Sequence, residues 1–215
     1  MSIAAKICGL TTAEAVQAAV DAGARFTGFV FYPPSPRSLT PDQAAALISG
    51  VAPGITRVGV FVDPDDALIE AVLAKAPFDL LQLHGSETPE RLGAIKRRFG
   101  RKVMKAIKVA GETDLQLARN YFGVADWLMF DAKPPKDLAG ALPGGNALAF
   151  DWELLRQRNW PLPWMLSGGL TVDNLAEAVR ISRASAVDVS SGVEHRPGEK
   201  DPAKVRAFLA RAKAL

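Results

Sequence analysis

Apolar residues recur along this chain in short runs, many of them β-branched, separated by polar or glycine-bearing segments. Eight runs stand out, at 3–8, 26–31, 57–62, 79–84, 103–108, 127–131, 164–167 and 186–190. Runs of this length between turn signals read as strands buried on both faces. Between them the period changes. Leu68, Ile69, Val72 and Leu73 fall three or four apart, as do Val205, Phe208, Leu209 and Ala212, and that spacing predicts helices with one buried face. Helix starts are marked too. Thr11 with Glu14 has capping-box spacing. Thr40-Pro41, Asp63-Pro64, Thr88-Pro89 and Asp201-Pro202 each set a capping side chain before a proline suited to the first helical position. Eight strand–helix units predict a parallel sheet, and eight in one chain predict a single (β/α)8 barrel over residues 1–215. An open doubly wound sheet is the alternative, if one or two runs are not strands.

Bulk properties narrow the picture without naming a function. At 215 residues and 48% hydrophobic, the chain can bury a large core without covalent staples. It has one cysteine, so no internal disulfide is possible and nothing requires an oxidising compartment. No apolar run reaches the roughly 18 residues of a membrane span. The opening MSIAAKICGL lacks the features of a secretory leader. The expectation is a cytoplasmic protein with no membrane partner. A net charge of +3 is a mild bias toward small anions. The basic residues are scattered, which argues against a nucleic-acid partner. The densest group, Lys96, Arg97 and Arg98 with Arg101 and Lys102, reads as favourable charge at a helix C-terminus. The oligomeric expectation is a monomer or homodimer.

In such barrels the active site lies at the C-terminal ends of the strands. The runs end in Cys8, Asp63, His84, Lys108, Asp131, Ser167 and Ser190. The seventh and eighth units carry "LSGGL" and "DVSSGVE", with Gly168, Gly169, Ser190, Ser191 and Gly192. Glycine turns let backbone N–H groups approach an anion, and this pair falls where barrels commonly bind phosphate. Two ordinary tight turns would read the same way. Strand alternation puts Lys6 and Cys8 on one face and Ile7 on the other. With Ile7 packed outward, Cys8 points into the barrel mouth, where Lys6 and a nearby helix start favour the thiolate. Met129 and Asp131 share a face of the sixth strand, which sets Asp131 across the mouth, where apolar surroundings would suit a protonated acid. The plainer readings are a buried small residue for Cys8 and a helix cap or loop contact for Asp131. The stretch 134–146, rich in Pro and Gly, reads as a loop over the site.

The segments KICGLT, GFVFYPPSPRSLT, VGVFVD, LLQLHG, FDAK, GGNALAFDW, LSGGL, AVDVSSGVE and PGEKDP occur in order from residue 6 to residue 202. In this combination the chain closely resembles the phosphoribosylanthranilate isomerases of tryptophan biosynthesis. The resemblance implies an Amadori rearrangement of a small phosphorylated substrate, with no metal and no organic cofactor. It implies Cys8 as general base and Asp131 as general acid. It implies Arg37, of SPRSLT, facing the anthranilate carboxylate or the developing charge nearby, where a surface arginine is the plainer reading. It brings His84, which faces inward with Gln82, into the site, although a hydrogen-bonded core histidine fits as well. Asp188 is expected to order the barrel mouth, and His195 to be an exposed loop residue. Many relatives carry a glycine where this chain has Ala147, which puts loop closure in question. Two other functions are open to such a fold. A related histidine-pathway isomerase would use two carboxylates, and a scaffold barrel would have no need of the strand-end polar set.

Overall fold

The computed structural model describes residues 2–133, 144–145, 148–156 and 158–215. The expectations for the 134–146 stretch and for Ala147 fall largely outside these described residues. The eight expected runs all form strands, with ends moved by no more than a residue or two. They are β1 (Ala4–Cys8), β2 (Phe26–Phe31), β3 (Thr56–Phe61), β4 (Leu80–Leu83), β5 (Lys102–Val109), β6 (Trp127–Ala132), β7 (Trp164–Leu166) and β8 (Ala186–Val189). They pair in sequence order, every pairing is parallel, and β8 closes on β1. The (β/α)8 barrel is therefore correct and the open sheet is not. The helices are α1 (Ala13–Asp21), α2 (Pro41–Ile48), α3 (Asp66–Lys75), α4 (Pro89–Phe99), α5 (Glu112–Leu117), α6 (Glu153–Arg156), α7 (Leu175–Ser182) and α8 (Pro202–Lys213). A short antiparallel hairpin, β9 (Glu194–Arg196) with β10 (Glu199–Lys200), follows β8 and was not foreseen.

Alternation along the strands divides the core in two. Val30, Val58, Val60, Met104, Met129 and Met165 fill the inside of the barrel. Ile7, Phe29, Phe61, Leu81, Phe130 and Val187 pack outward against the helices. Ile7 is in the outer layer and Cys8 in the inner cluster, as the alternation required.

Thr40, Thr88 and Asp201 cap α2, α4 and α8 through backbone N–H groups. Two expected caps are wrong. Thr12, not Thr11, caps α1, its hydroxyl accepting the Ala15 N–H at 3.2 Å, while the Thr11 hydroxyl donates to the Gly198 carbonyl at 2.8 Å and ties the loop to the hairpin. Asp65, not Asp63, caps α3. Asp63 takes a left-handed backbone (φ 45°) and accepts the Ser86 N–H at 2.7 Å, so it joins two loops instead of starting a helix.

Candidate active site

At the C-terminal ends of the strands lies a cavity of about 770 Å³, its open mouth included. Cys8 from β1, His84 after β4, Asp131 from β6 and Arg37 from the loop after β2 all line it. So do Gly168, Gly169, Ser190 and Ser191. The catalytic and substrate-binding residues expected from sequence thus converge on one cavity, Gly192 excepted, whereas the strand-end residues Asp63 and Lys108 do not line it. Gly192 lies behind the wall, where a Cβ would stand 1.9 Å from the Leu170 carbonyl oxygen. It is the contact that lets the loops after β7 and β8 pack backbone to backbone. Gly192→Ala is expected to cost about 1–3 kcal/mol, the usual range for overpacking, read as a lower urea midpoint at unchanged slope.

The glycine turn after β7 is also sterically determined. Gly168 and Gly169 have φ of 91° and 61°, a region that L side chains rarely adopt. A Cβ on Gly168 would meet the Ala132 nitrogen at 2.7 Å, and one on Gly169 the Leu148 carbonyl carbon at 2.7 Å. The turn can therefore bring bare backbone to the cavity wall.

Cys8 is 8% exposed. Gly28 on β2 makes room for it, since a Cβ there would stand 3.0 Å from both Cys8 Sγ and Lys6 Nζ. Lys6 is fully buried inside the barrel and paired with Asp188 at 2.8 Å, and Ser167 donates to the other Asp188 oxygen at 3.1 Å. Burial pulls the Lys6 ammonium down, but Asp188 and Cys8 outweigh it and hold it at about 12. Lys6 favours the thiolate, as expected, but does not prevail. Burial pushes the Cys8 thiol up more than Lys6 brings it down, and Asp188 adds to the rise. The Lys6 charge is shared with a carboxylate, so too little is left for the sulfur. Asp188 orders the barrel mouth, as expected. Lys6→Met would leave that carboxylate buried without its cation, at a cost of about 3–5 kcal/mol, to be measured by denaturant unfolding.

Across the mouth, His84 Nε2 stands 3.0 Å from Asp131 Oδ2, and His84 Nδ1 is 2.9 Å from Gln82 Nε2. The other Asp131 oxygen accepts the Ala132 N–H at 3.0 Å. His84 is both hydrogen-bonded and cavity-lining, so the two readings of it coincide. Asp131 is not a helix cap.

Arg37 is not a surface residue. It is 5% exposed and bound bidentately by Glu194, with Nε to Oε1 at 2.7 Å and NH2 to Oε2 at 2.8 Å. Lys200 Nζ donates to Glu194 Oε1 at 2.6 Å and to both the Ser190 carbonyl and hydroxyl. Burial works against the Glu194 carboxylate, but Arg37 and Lys200 hold it below its ordinary value. Glu194 and Lys200 were missed from sequence. Their signal, two charged residues flanking the turn of "EHRPGEK", looks like an ordinary exposed hairpin until the fold folds it inward. Gly144 and Gly145, the described residues of the 134–146 stretch read as a loop over the site, line the cavity. A Cβ on Gly144 would lie 2.9 Å from the His84 ring, and one on Gly145 would lie 2.7 Å from Arg37 NH1. His195 is exposed, on β9. Among the described residues no three His, Cys, Asp or Glu side chains converge as metal ligands would.

A closed parallel barrel with a thiol, an imidazole and a carboxylate around a glycine-walled cavity at its C-terminal end has the make-up of a (β/α)8-barrel enzyme. The family model for N-(5'-phosphoribosyl)anthranilate isomerase matches residues 5–211. A relative of that name from Rhodospirillum centenum is 58% identical over 215 residues, covering all of both chains. Solved structures agree. The phosphoribosyl anthranilate isomerase of Thermotoga maritima superposes with a TM-score of 0.86 at 37% identity, over 99% of this chain and 100% of that one. Another isomerase structure, in complex with reduced 1-(o-carboxyphenylamino)-1-deoxyribulose 5-phosphate, gives 0.84 at 36% identity with the same coverage. The chain belongs to the N-(5'-phosphoribosyl)anthranilate isomerase family.

Proposed function

We propose that this chain performs the family's isomerisation with Cys8 as general base and Asp131 as general acid. The observation that carries the reading is that these two groups, from β1 and β6, open onto one cavity whose other wall is the pair of glycine and serine turns. Asp131 gives its proton to the ribose ring oxygen. The C1–O bond breaks toward that oxygen, and the anthranilate nitrogen lone pair closes a C=N bond. Cys8, as thiolate, takes the C2 proton. The C–H electrons form C1=C2, and the C=N pair returns to nitrogen. The resulting enolamine becomes the ketone by losing its C2 hydroxyl proton and gaining a proton at C1, so the net change is isomerisation. The Lys6 ammonium, still protonated when the thiol ionises, stabilises the thiolate. Backbone of Gly168, Gly169, Ser190 and Ser191 receives the phosphate. Arg37, aligned by Glu194, meets the anthranilate carboxylate.

Nothing in this scheme calls for a cofactor. No helix among the described residues is long and apolar enough to cross a membrane, and the cytoplasm is the compartment we infer from the unpaired thiol. The test is turnover of N-(5-phosphoribosyl)anthranilate by the purified protein, followed by the loss of substrate fluorescence. Its pH profile carries a second test. A base works deprotonated, and burial raises the Cys8 thiol. So kcat/KM is expected to climb with pH above neutrality, since this ratio reports the free enzyme. A rate that is flat from pH 6 to 9 at the ordinary precision of the assay would contradict a buried thiol base.

A further inference from the structure

Gln82 is a buried amide that the acid–base scheme leaves unused. It precedes His84 by two residues along β4, so both side chains face into the barrel. Gln82 Nε2 stands 2.9 Å from His84 Nδ1 and 3.4 Å from Met129 Sδ. A thioether sulfur can only accept, so the amide presents its NH2 end there. Turning it over would set its oxygen against the sulfur. It would also move two N–H donors to the place of Oε1, a buried atom with no partner among the described residues. One orphaned carbonyl is tolerated more readily than orphaned N–H groups. His84 Nδ1 is therefore an acceptor, and the neutral ring carries its proton on Nε2. That N–H is aimed at Asp131 Oδ2, 3.0 Å away.

We propose that Gln82 is a positioning residue for the isomerisation: it holds His84 as the Nε2–H tautomer, so that a donor already faces the Asp131 carboxylate formed when the ring-opening proton leaves. The opposite tautomer would turn a lone pair toward that carboxylate and oppose the transfer. The proposal rests on Asp131 being the acid, but the tautomer is observable separately.

The chain has two histidines. In ¹⁵N-labelled protein carrying His195→Gln, His84 is the sole imidazole. Long-range ¹H–¹⁵N spectra, taken where the ring is neutral, are expected to show protonated Nε2 and bare Nδ1. Gln82→Met keeps the volume but removes the donor. The two ring-nitrogen shifts should then move toward each other, and kcat should fall about tenfold at unchanged KM, a fraction of the 10²–10⁴ that a positioned acid contributes. An Nδ1–H tautomer with Gln82 intact overturns the proposal, and that reading stands even if Gln82→Met does not fold. So does an Nε2–H tautomer, or a full kcat, that survives the substitution. If the tautomer responds but Asp131→Asn proves fully active, it is the acid assignment that falls, and the role of Gln82 in the reaction falls with it.

Discussion

Cys8→Ala is expected to lower kcat by about 10³-fold or more, toward the upper end of what a positioned general base supplies, while the barrel stays folded. The case rests on what else could take the C2 proton. Lys6 lies beside the sulfur but is held as a cation by Asp188 up to about 12. His84 is held between Gln82 and Asp131 across the mouth. Cys8 alone joins reach with a lone pair that ionisation makes basic. Cys8→Ser should be nearly as damaging, because a hydroxyl in the same site is a far weaker base. Steady-state kinetics measure the loss, and an unchanged unfolding midpoint separates it from instability. Near-normal turnover by either variant would remove Cys8 from the reaction.

Asp131→Asn should have a comparable effect, about 10²- to 10⁴-fold on kcat. The amide oxygen can still accept the Ala132 N–H, so local backbone geometry is retained. On the proposed scheme, what disappears is the proton for the ring oxygen. In its place an NH2 meets the His84 nitrogen that the carboxylate now faces at 3.0 Å. The arrangement predicts a split between the two kinetic constants. Affinity for the reduced product analogue should stay within a few-fold, since the proposed phosphate and carboxylate contacts do not involve Asp131, while turnover collapses. A proportionate loss of affinity would mean that Asp131 holds the ligand instead of acting on it.

Much of this site could be read before any fold was known, and the reasons are local. Strand alternation assigned Cys8 and Asp131 to the inner face, because successive side chains must point to opposite sides of a strand. The glycines after β7 and β8 were visible because the fold needs bare backbone there, for positive φ at Gly168 and Gly169 and for the Leu170 carbonyl against Gly192. "KICGLT" shows both the reach and the limit of such reading. Gly9 does turn the chain sharply, with φ of 76°, and a Cβ there would stand 2.6 Å from Arg37 Cδ. But the pull of Lys6 toward the thiolate, legible in the sequence, is outweighed by burial of the sulfur, and Asp188 from β8, 182 residues away, adds to the rise. The cap assigned to Thr11 falls instead on Thr12, and the Thr11 hydroxyl reaches the Gly198 carbonyl, 187 residues away.

Period, caps and turn residues, all set within a few positions of one another, were enough to specify eight strand–helix units and their inward faces, and the ordered motifs from KICGLT to PGEKDP carried the family resemblance. The charge state of Cys8, the bidentate grip of Glu194 on Arg37 and the Gln82–His84–Asp131 chain belong to the closed barrel. Each depends on burial, or on partners far apart along the chain. Desolvation and long-range pairing exist only once the strands have closed, and those two effects set the electrostatics on which the chemistry depends.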